Sequence, residues 1–165
     1  MAQWGWLNND CQQFRFVSAG DGWSTVTSKL NGRVWQPAAC GGVGAAIQAA
    51  TADGSACQQF RIQPVGNVLI ADAAMRRVLS ALPFVRMTDR RPYGCQLWHF
   101  APTSGAYYHV VDACTGRDLT VHNGHLTLGG PGPAAEWRID PTATGTYQLV
   151  DRTGTSLDDV RLLAP

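Results

Sequence analysis

Cys95-Gln96-Leu97-Trp98-His99-Phe100 is a short apolar signature that this chain repeats. It recurs as Cys11-Gln12-Gln13-Phe14-Arg15-Phe16 and as Cys57-Gln58-Gln59-Phe60-Arg61-Ile62, and in decayed form as Ala135-Glu136-Trp137-Arg138-Ile139. The aromatic anchors Phe14, Phe60, Trp98 and Trp137 lie 46, 38 and 39 residues apart. One apolar signature per unit, at a period of about forty, marks a repeat architecture.

Each unit carries more than its anchor. After it comes a run that alternates apolar and polar residues: Trp23–Thr27, Val68–Ala71, Tyr107–Val111 and Tyr147–Val150. A turn follows at Asn31-Gly32-Arg33, Met75-Arg76-Arg77, Thr115-Gly116-Arg117 and Thr153-Gly154-Thr155. The next strand is marked by Trp35, Leu79, Leu119 and Leu157, which fall 21, 19, 21 and 20 residues after their anchors. Short alternating runs broken by Gly, Pro, Asn and Asp predict hairpins, and no stretch sustains a 3.6-residue period. Only 43–52 leaves room for a helical turn, and its glycine-rich start argues against a long helix.

Composition bounds the function. The 165 residues, 45% hydrophobic and 15% charged, suffice for one ordinary core. Net charge is +1, with Lys29 the only lysine and the arginines scattered, so no basic face for nucleic acid is expected. No apolar run reaches the length of a membrane span, and no signal peptide precedes the first strand. The chain opens in mid-repeat at Met1-Ala2-Gln3-Trp4, as expected of a segment cut from a longer protein.

Hairpin, Gly turn, Leu-Asp, strand and Cys-Gln-x-Trp in that order resemble the ricin-type β-trefoil lectins, also classed as family 13 carbohydrate-binding modules. The resemblance runs over nearly the whole chain. It implies an all-β, β-trefoil fold with pseudo-threefold repeats, in which Phe14, Phe60, Trp98 and Trp137 are core wedges rather than sugar stackers. Three repeats make a trefoil, whereas this single domain of residues 1–165 holds three complete units and a split fourth. Residues 1–17 look like the last two strands of a repeat and 141–165 like the first two. The segment 18–140 could close a trefoil alone, leaving the ends as appendages or paired with each other or with a neighbour.

In this family an Asp just after the second-strand Leu accepts bonds from adjacent sugar hydroxyls, as a carboxylate does well. A ring stacks on the sugar's apolar face, an amide completes the pocket, and the Gln before the anchor orients the Asp. At the Asp position stand Gln36, Ser80, Thr120 and Asp158, so one carboxylate of four remains. Trp4, Trp6, Asn9 and Gln12, at the other end of the chain, supply rings, amides and the Gln. Together with Asp158 they are the expected sugar-binding set. The competing reading makes Trp4 and Trp6 ordinary strand residues and Asp158 a turn cap.

Other candidates are weaker. Asp118, His122, Asn123 and His125, with Tyr107 and Tyr108, are a second place for a hydroxylated ligand. His122-x-x-His125 lacks further ligands at zinc spacing and reads as loop histidines. Trp35, in a Leu position, is expected to be buried, with Gln36 beside it. The resemblance also implies a Cys40–Cys57 disulfide and leaves Cys11, of the five cysteines, as the suspected free thiol. No Cys-x-x-Cys, nucleophile elbow, Walker loop, His-Glu-x-x-His or dinucleotide fingerprint is present. Asp158 and Asp159, adjacent on a strand, do not read as a catalytic pair.

The expected function is a non-catalytic carbohydrate-binding module or lectin, with no cofactor or metal. Its partner would be a plant-type polysaccharide or a galactose-, xylose- or arabinose-containing glycan, and its setting a secreted, extracellular glycoside hydrolase with an attached catalytic domain. The alternative is a trefoil whose sugar sites have decayed and which serves protein–protein or interdomain packing.

Overall fold

The computed structural model describes residues 9–91 and 95–165. Among them there is no α-helix, and 43–52 holds a strand where a helical turn had room to form. Among the described residues no helix is long and apolar enough to cross a membrane. The chain divides into two compact units, Met1–Arg61 and Ile62–Pro165.

The N-terminal unit is an open antiparallel sheet. Its strands are β1 (Phe14–Gly20), β2 (Trp23–Ser28), β3 (Val34–Pro37), β4 (Ile47–Ala50) and β5 (Phe60–Arg61), in the order β1-β2-β3-β4 with β5 also on β2. Val26 and Val34 are its buried aliphatics. Trp35 lies half-buried between two edge-on rings, Phe14 at 4.9 Å and Phe60 at 6.4 Å. The Cys40–Cys57 disulfide forms as expected, and Cys11 is the free cysteine. All seven residues of β1 are exposed, and among the described residues it is an edge strand.

The C-terminal unit is closed. Its strands are β6 (Asn67–Asp72), β7 (Arg77–Ser80), β8 (Arg86–Asp89), β9 (Trp98–Pro102), β10 (Tyr107–Asp112), β11 (Asp118–His122), β12 (His125–Gly129), β13 (Glu136–Pro141), β14 (Tyr147–Asp151) and β15 (Ser156–Leu163). Hydrogen-bonded neighbours run β6, β9, β10, β13, β14, β15 and back to β6, a six-stranded ring with no free edge. The hairpins β7–β8 and β11–β12 hang from β6 and β10. This is the β-trefoil plan, a barrel of first and fourth strands capped by second–third hairpins.

The third repeat departs from that plan. β15 starts as a second strand, paired with β14 at Leu149↔Leu157, and then continues along β6 from Val160↔Asp72 to Leu163↔Leu69. A register shift separates the two halves, and there Asp159 takes a left-handed φ of 51°. Such a bulge bends a strand and re-aims it. One strand therefore fills the place of a second and a fourth strand, and the ring closes through 67–163 rather than through 18–140.

Trp98 and Trp137 are fully buried in the barrel with Ile70, Leu79, Phe100, Tyr108, Val110, Leu119, Ile139 and Leu149. Each indole donates to the carbonyl of its second-strand leucine, Trp98 Nε1 to Leu79 at 3.0 Å and Trp137 Nε1 to Leu119 at 2.8 Å. Burial of so large a ring is thus achieved with its polar atom satisfied. Phe14 and Phe60 correct the expectation of four equivalent wedges. Phe14 is 42% exposed and Phe60 half-buried, because their sheet stays open and encloses no axis.

Three aspartates that end first strands shape the turns. Asp72 Oδ1 accepts from Arg76 N, Asp112 Oδ2 from the N–H and hydroxyl of Thr115, and Asp151 Oδ1 from Thr153 and Thr155. Side-chain acceptors of this kind hold tight turns. Gly116 and Gly154 then take the left-handed conformation, φ 69° and 90°, that lets the second strand start back. A second disulfide, Cys95–Cys114, joins the segment before β9 to the β10–β11 turn.

Candidate functional site

The residue after the second-strand anchor meets a different fate in each repeat. Gln36, half-buried, accepts from Gln58 Nε2 at 2.8 Å. Ser80, buried, donates its hydroxyl to the Leu82 carbonyl at 3.2 Å. Thr120, half-buried, donates to Ala134 O at 3.1 Å. Asp158 alone is exposed and charged, and it accepts from Gln148 Nε2 at 2.6 Å.

The hydrogen bond from Gln148, with a further one from Ser156, holds the Asp158 carboxyl below the ordinary value of 3.8. Both donors favour the charged form. A carboxylate has about four acceptor positions, so Asp158 keeps acceptor capacity toward solvent after the Gln148 bond. Beside it in the chain, Asp159 Oδ1 accepts from Thr146 Oγ1 at 3.0 Å. Thr146 shares close hydroxyl contacts with Thr142 and Thr144, at 2.7 and 3.1 Å. The bulge thus leaves two exposed carboxylates adjacent in the chain, one bonded to an amide and the other to a hydroxyl.

The glutamines before Phe60 and Trp98 hold the loops that precede those anchors, and Gln58 also donates to Gln36 at the family's acidic position, the partner that the resemblance implies. Gln96, buried, accepts from Arg91 N at 2.9 Å and donates to Thr88 Oγ1 at 2.9 Å and Asp89 O at 2.8 Å. Gln58 repeats this with Asp53 N, Thr51 O and Gln36. Both amides pin the loop that precedes the anchor. In the C-terminal unit Gln148, from the first strand, supplies the contact to the carboxylate.

Among the described residues, clefts open beside the second–third hairpins β7–β8 and β3–β4. One, of about 290 Å³, is lined by Ser80, Leu82, Pro83, Arg86, Thr88, Arg91, Cys95 and Gln96. The other, of about 260 Å³ and wholly within the N-terminal unit, presents Phe14, Trp35, Asn31, Arg33 and Gln48. Trp35, expected to be buried, is half-buried and lines this second cleft.

The sequence-predicted residues are distributed as follows. Trp4 and Trp6 lie outside the described residues. Asn9 and Gln12 share one turn, Gln12 N donating to Asn9 O at 3.0 Å, and Lys29 braces that turn through Asp10 and Gln13, both at 2.9 Å. Asp158 belongs to β15. Asp118 does not join His122 and His125: it sits at the other end of β11, buried, 3.3 Å from His109 Nδ1. His122 and His125 are exposed partners across a hairpin tip. Tyr108 is buried with its hydroxyl on Ile62 O at 2.8 Å, and Tyr107 lies under the Arg152 guanidinium at 3.9 Å. These tyrosines serve packing. Cys95, Asp112 and Cys114 cluster at metal-ligand distances, but the two sulfurs are joined and offer no thiolate.

Known proteins give this geometry a context. A family model described as a ricin-type beta-trefoil lectin domain-like matches residues 10–82 and 94–161. A GlcNAcα1-4Gal-releasing endo-β-galactosidase from Clostridium perfringens is similar over 92% of this chain and 47% of its own, with TM-score 0.54 and 12% identity. A mosquitocidal holotoxin is similar over 94% of this chain and 22% of its own, with TM-score 0.50 and 11% identity. The chain therefore spans less than half the length of either. No curated protein matches it in sequence.

Proposed function

The chain belongs to the ricin-type β-trefoil lectin-like family, and from that premise we propose that it binds carbohydrate without cleaving it, with Asp158 as the principal acceptor of sugar hydroxyls. The observation that carries this reading is the Asp158 carboxylate, exposed and kept charged by Gln148 at the family's acidic position. Trp4 and Trp6 are proposed to contribute a stacking ring, and Asn9 and Gln12 the amides. The proposed ligand is a plant-type polysaccharide or a galactose-, xylose- or arabinose-containing glycan. The proposed setting is a secreted glycoside hydrolase whose catalytic domain this module would tether to substrate. Two disulfides are consistent with an extracellular protein.

A glycan array followed by isothermal titration tests this. A charged hydrogen bond contributes roughly 1.5–3 kcal/mol, so Asp158→Ala should weaken the best array ligand about ten- to a hundredfold. Substitution of Trp4 or Trp6 by Ala should weaken it as well. Undiminished binding by Asp158→Ala removes the assignment.

A second reading has its own support. Gln36, Ser80 and Thr120 all spend hydrogen bonds on their own chain. A scaffold that packs against other proteins needs nothing more of them. A blank array with a stable fold would favour it.

A further inference from the structure

The geometry points to the cleft beside Ser80 as a binding site for the anionic group, carboxylate or sulfate ester, of an acidic sugar residue. The inference rests on the carbohydrate-binding reading but uses residues other than Asp158. At about 290 Å³ the cleft is near the lower end of ligand-pocket sizes, roughly 300 Å³. It suits one sugar residue rather than a stretch of chain.

Its charge is what separates it from a neutral-sugar pocket. Arg86 opens β8 and Arg91 follows its end, and both line the cleft. Both are exposed, and neither side chain is ion-paired among the described residues. Among the described residues, none that lines the cleft is acidic. Alternation along β8 explains this: Arg86 and Thr88 face it, while Met87 packs on the core and Asp89, on Met87's side, is in register with Arg77. Two unpaired guanidiniums with no opposing carboxylate attract an anion and match its oxygens bidentately.

The floor is built for a polar guest. Gln96, 4% exposed, fixes Thr88, Asp89 and the Arg91 backbone, so the segment carrying both arginines is held from beneath. Ser80 stands where the family pattern has its hydroxyl-binding Asp. Its hydroxyl donates to Leu82 O, which leaves an uncharged oxygen to accept from a ligand. An Asp at this position would repel an anion, whereas a Ser does not. The stretch 83–93, which carries Arg86 and Arg91, also falls outside the two segments that match the family model.

The test is isothermal titration of the whole chain with short galacturonate and sulfated-galactose oligomers, their neutral counterparts, and acetate and sulfate alone. The acidic oligomers should bind at least tenfold more tightly than the neutral ones at low salt, and lose that margin as salt rises. Which of the two binds better assigns the anion as carboxylate or sulfate. Arg86→Gln and Arg91→Gln, both at exposed positions, should each reduce acidic binding about tenfold while neutral-sugar binding through Asp158 is unchanged. Ser80→Asp should expel the acidic ligand in the same way with the arginines intact. Equal affinity for acidic and neutral oligomers, with Asp158-dependent binding present, overturns this inference and leaves the carbohydrate reading standing. Acetate or sulfate binding as tightly as the oligomers overturns the sugar part of it. No saccharide bound at all removes both.

Discussion

The two units of this chain carry the same motif and put it to different use. Cys57-Gln58-Gln59-Phe60 and Cys95-Gln96-Leu97-Trp98 each contain a buried glutamine that pins the preceding loop and a cysteine in a disulfide. In the C-terminal unit the motif delivers a fully buried indole into a closed barrel, bonded to a leucine carbonyl. In the N-terminal unit it delivers a half-buried phenyl ring onto the edge of Trp35 in an open sheet. The local wiring of the motif is therefore independent of whether a ring of strands closes around the anchor. What differs is the enclosed volume, and that sets how much each anchor stabilises.

The largest contrast should come from truncating the anchors. Trp98→Ala or Trp137→Ala should lower stability by about 3–5 kcal/mol, as for other buried large aromatics. Phe60→Ala should cost clearly less, since a half-buried ring loses less contact. Denaturant melts of the three variants check this, and equal losses would mean that the N-terminal sheet encloses its anchor as tightly as the barrel does.

The disulfides sharpen the same comparison. Their loops span 17 and 19 residues, so each removes a similar amount of unfolded-chain entropy, about 3 kcal/mol. Replacing Cys40 and Cys57 by Ala should reduce hydrogen-exchange protection within residues 9–61, and replacing Cys95 and Cys114 should reduce it within 62–165. Loss spread over both units from either pair would show that they unfold as one. Without reductant, one thiol should titrate, that of Cys11.

A smaller effect isolates the polar part of the anchor. Trp98→Phe keeps a large ring but leaves the Leu79 carbonyl without its donor. An unpaired buried acceptor costs about 1–3 kcal/mol, so this variant should fall between the parent and Trp98→Ala. Phe60→Trp has no equivalent penalty to relieve and should change little. A Trp98→Phe variant as stable as the parent would assign all of the anchor's worth to packing.

Much of this was legible before any coordinates. The anchor spacing and the constant distance to Leu79 and Leu119 identified the hairpin repeat, while the burial of Trp98 and Trp137 and the Cys40–Cys57 bond were implied by the family resemblance. Asp72, Asp112 and Asp151 stand 40 and 39 residues apart and could have been read as turn-makers by the same reasoning. The closure was not legible. Ser156–Leu163 breaks its alternation at Asp158-Asp159, yet that break does not name β6 as the partner, and the pairing joins residues 88 apart, Val160 and Asp72. Nor could Arg86 and Arg91 be separated from ordinary solvated arginines until Gln96 was seen folded beneath them. The fate of Phe14 and Phe60 likewise depends on ring closure, which is a property of pairing and not of spacing.

The smallest expected effect is the most specific to the site. The Asp158 carboxyl is held below 3.8 in the folded chain, chiefly by Gln148. A carboxyl whose folded value is depressed stays charged as acid is added, and the stability or binding that depends on its charge is lost only as pH falls through that lower value. Sugar binding through Asp158 should therefore persist to lower pH than an ordinary aspartate allows and decline only as pH falls through the lowered value. Gln148→Ala removes the largest cause of the depression, so the decline should move upward toward the ordinary carboxylate range, with little change in affinity at pH 7. Titrations at stepped pH on the two proteins measure this directly. If the profiles coincide, Gln148 does not control the charge on Asp158, and the contact at 2.6 Å is only one of packing. If the parent's binding already fails well above 3.8, another group governs recognition, and Asp158 loses its role as the principal acceptor.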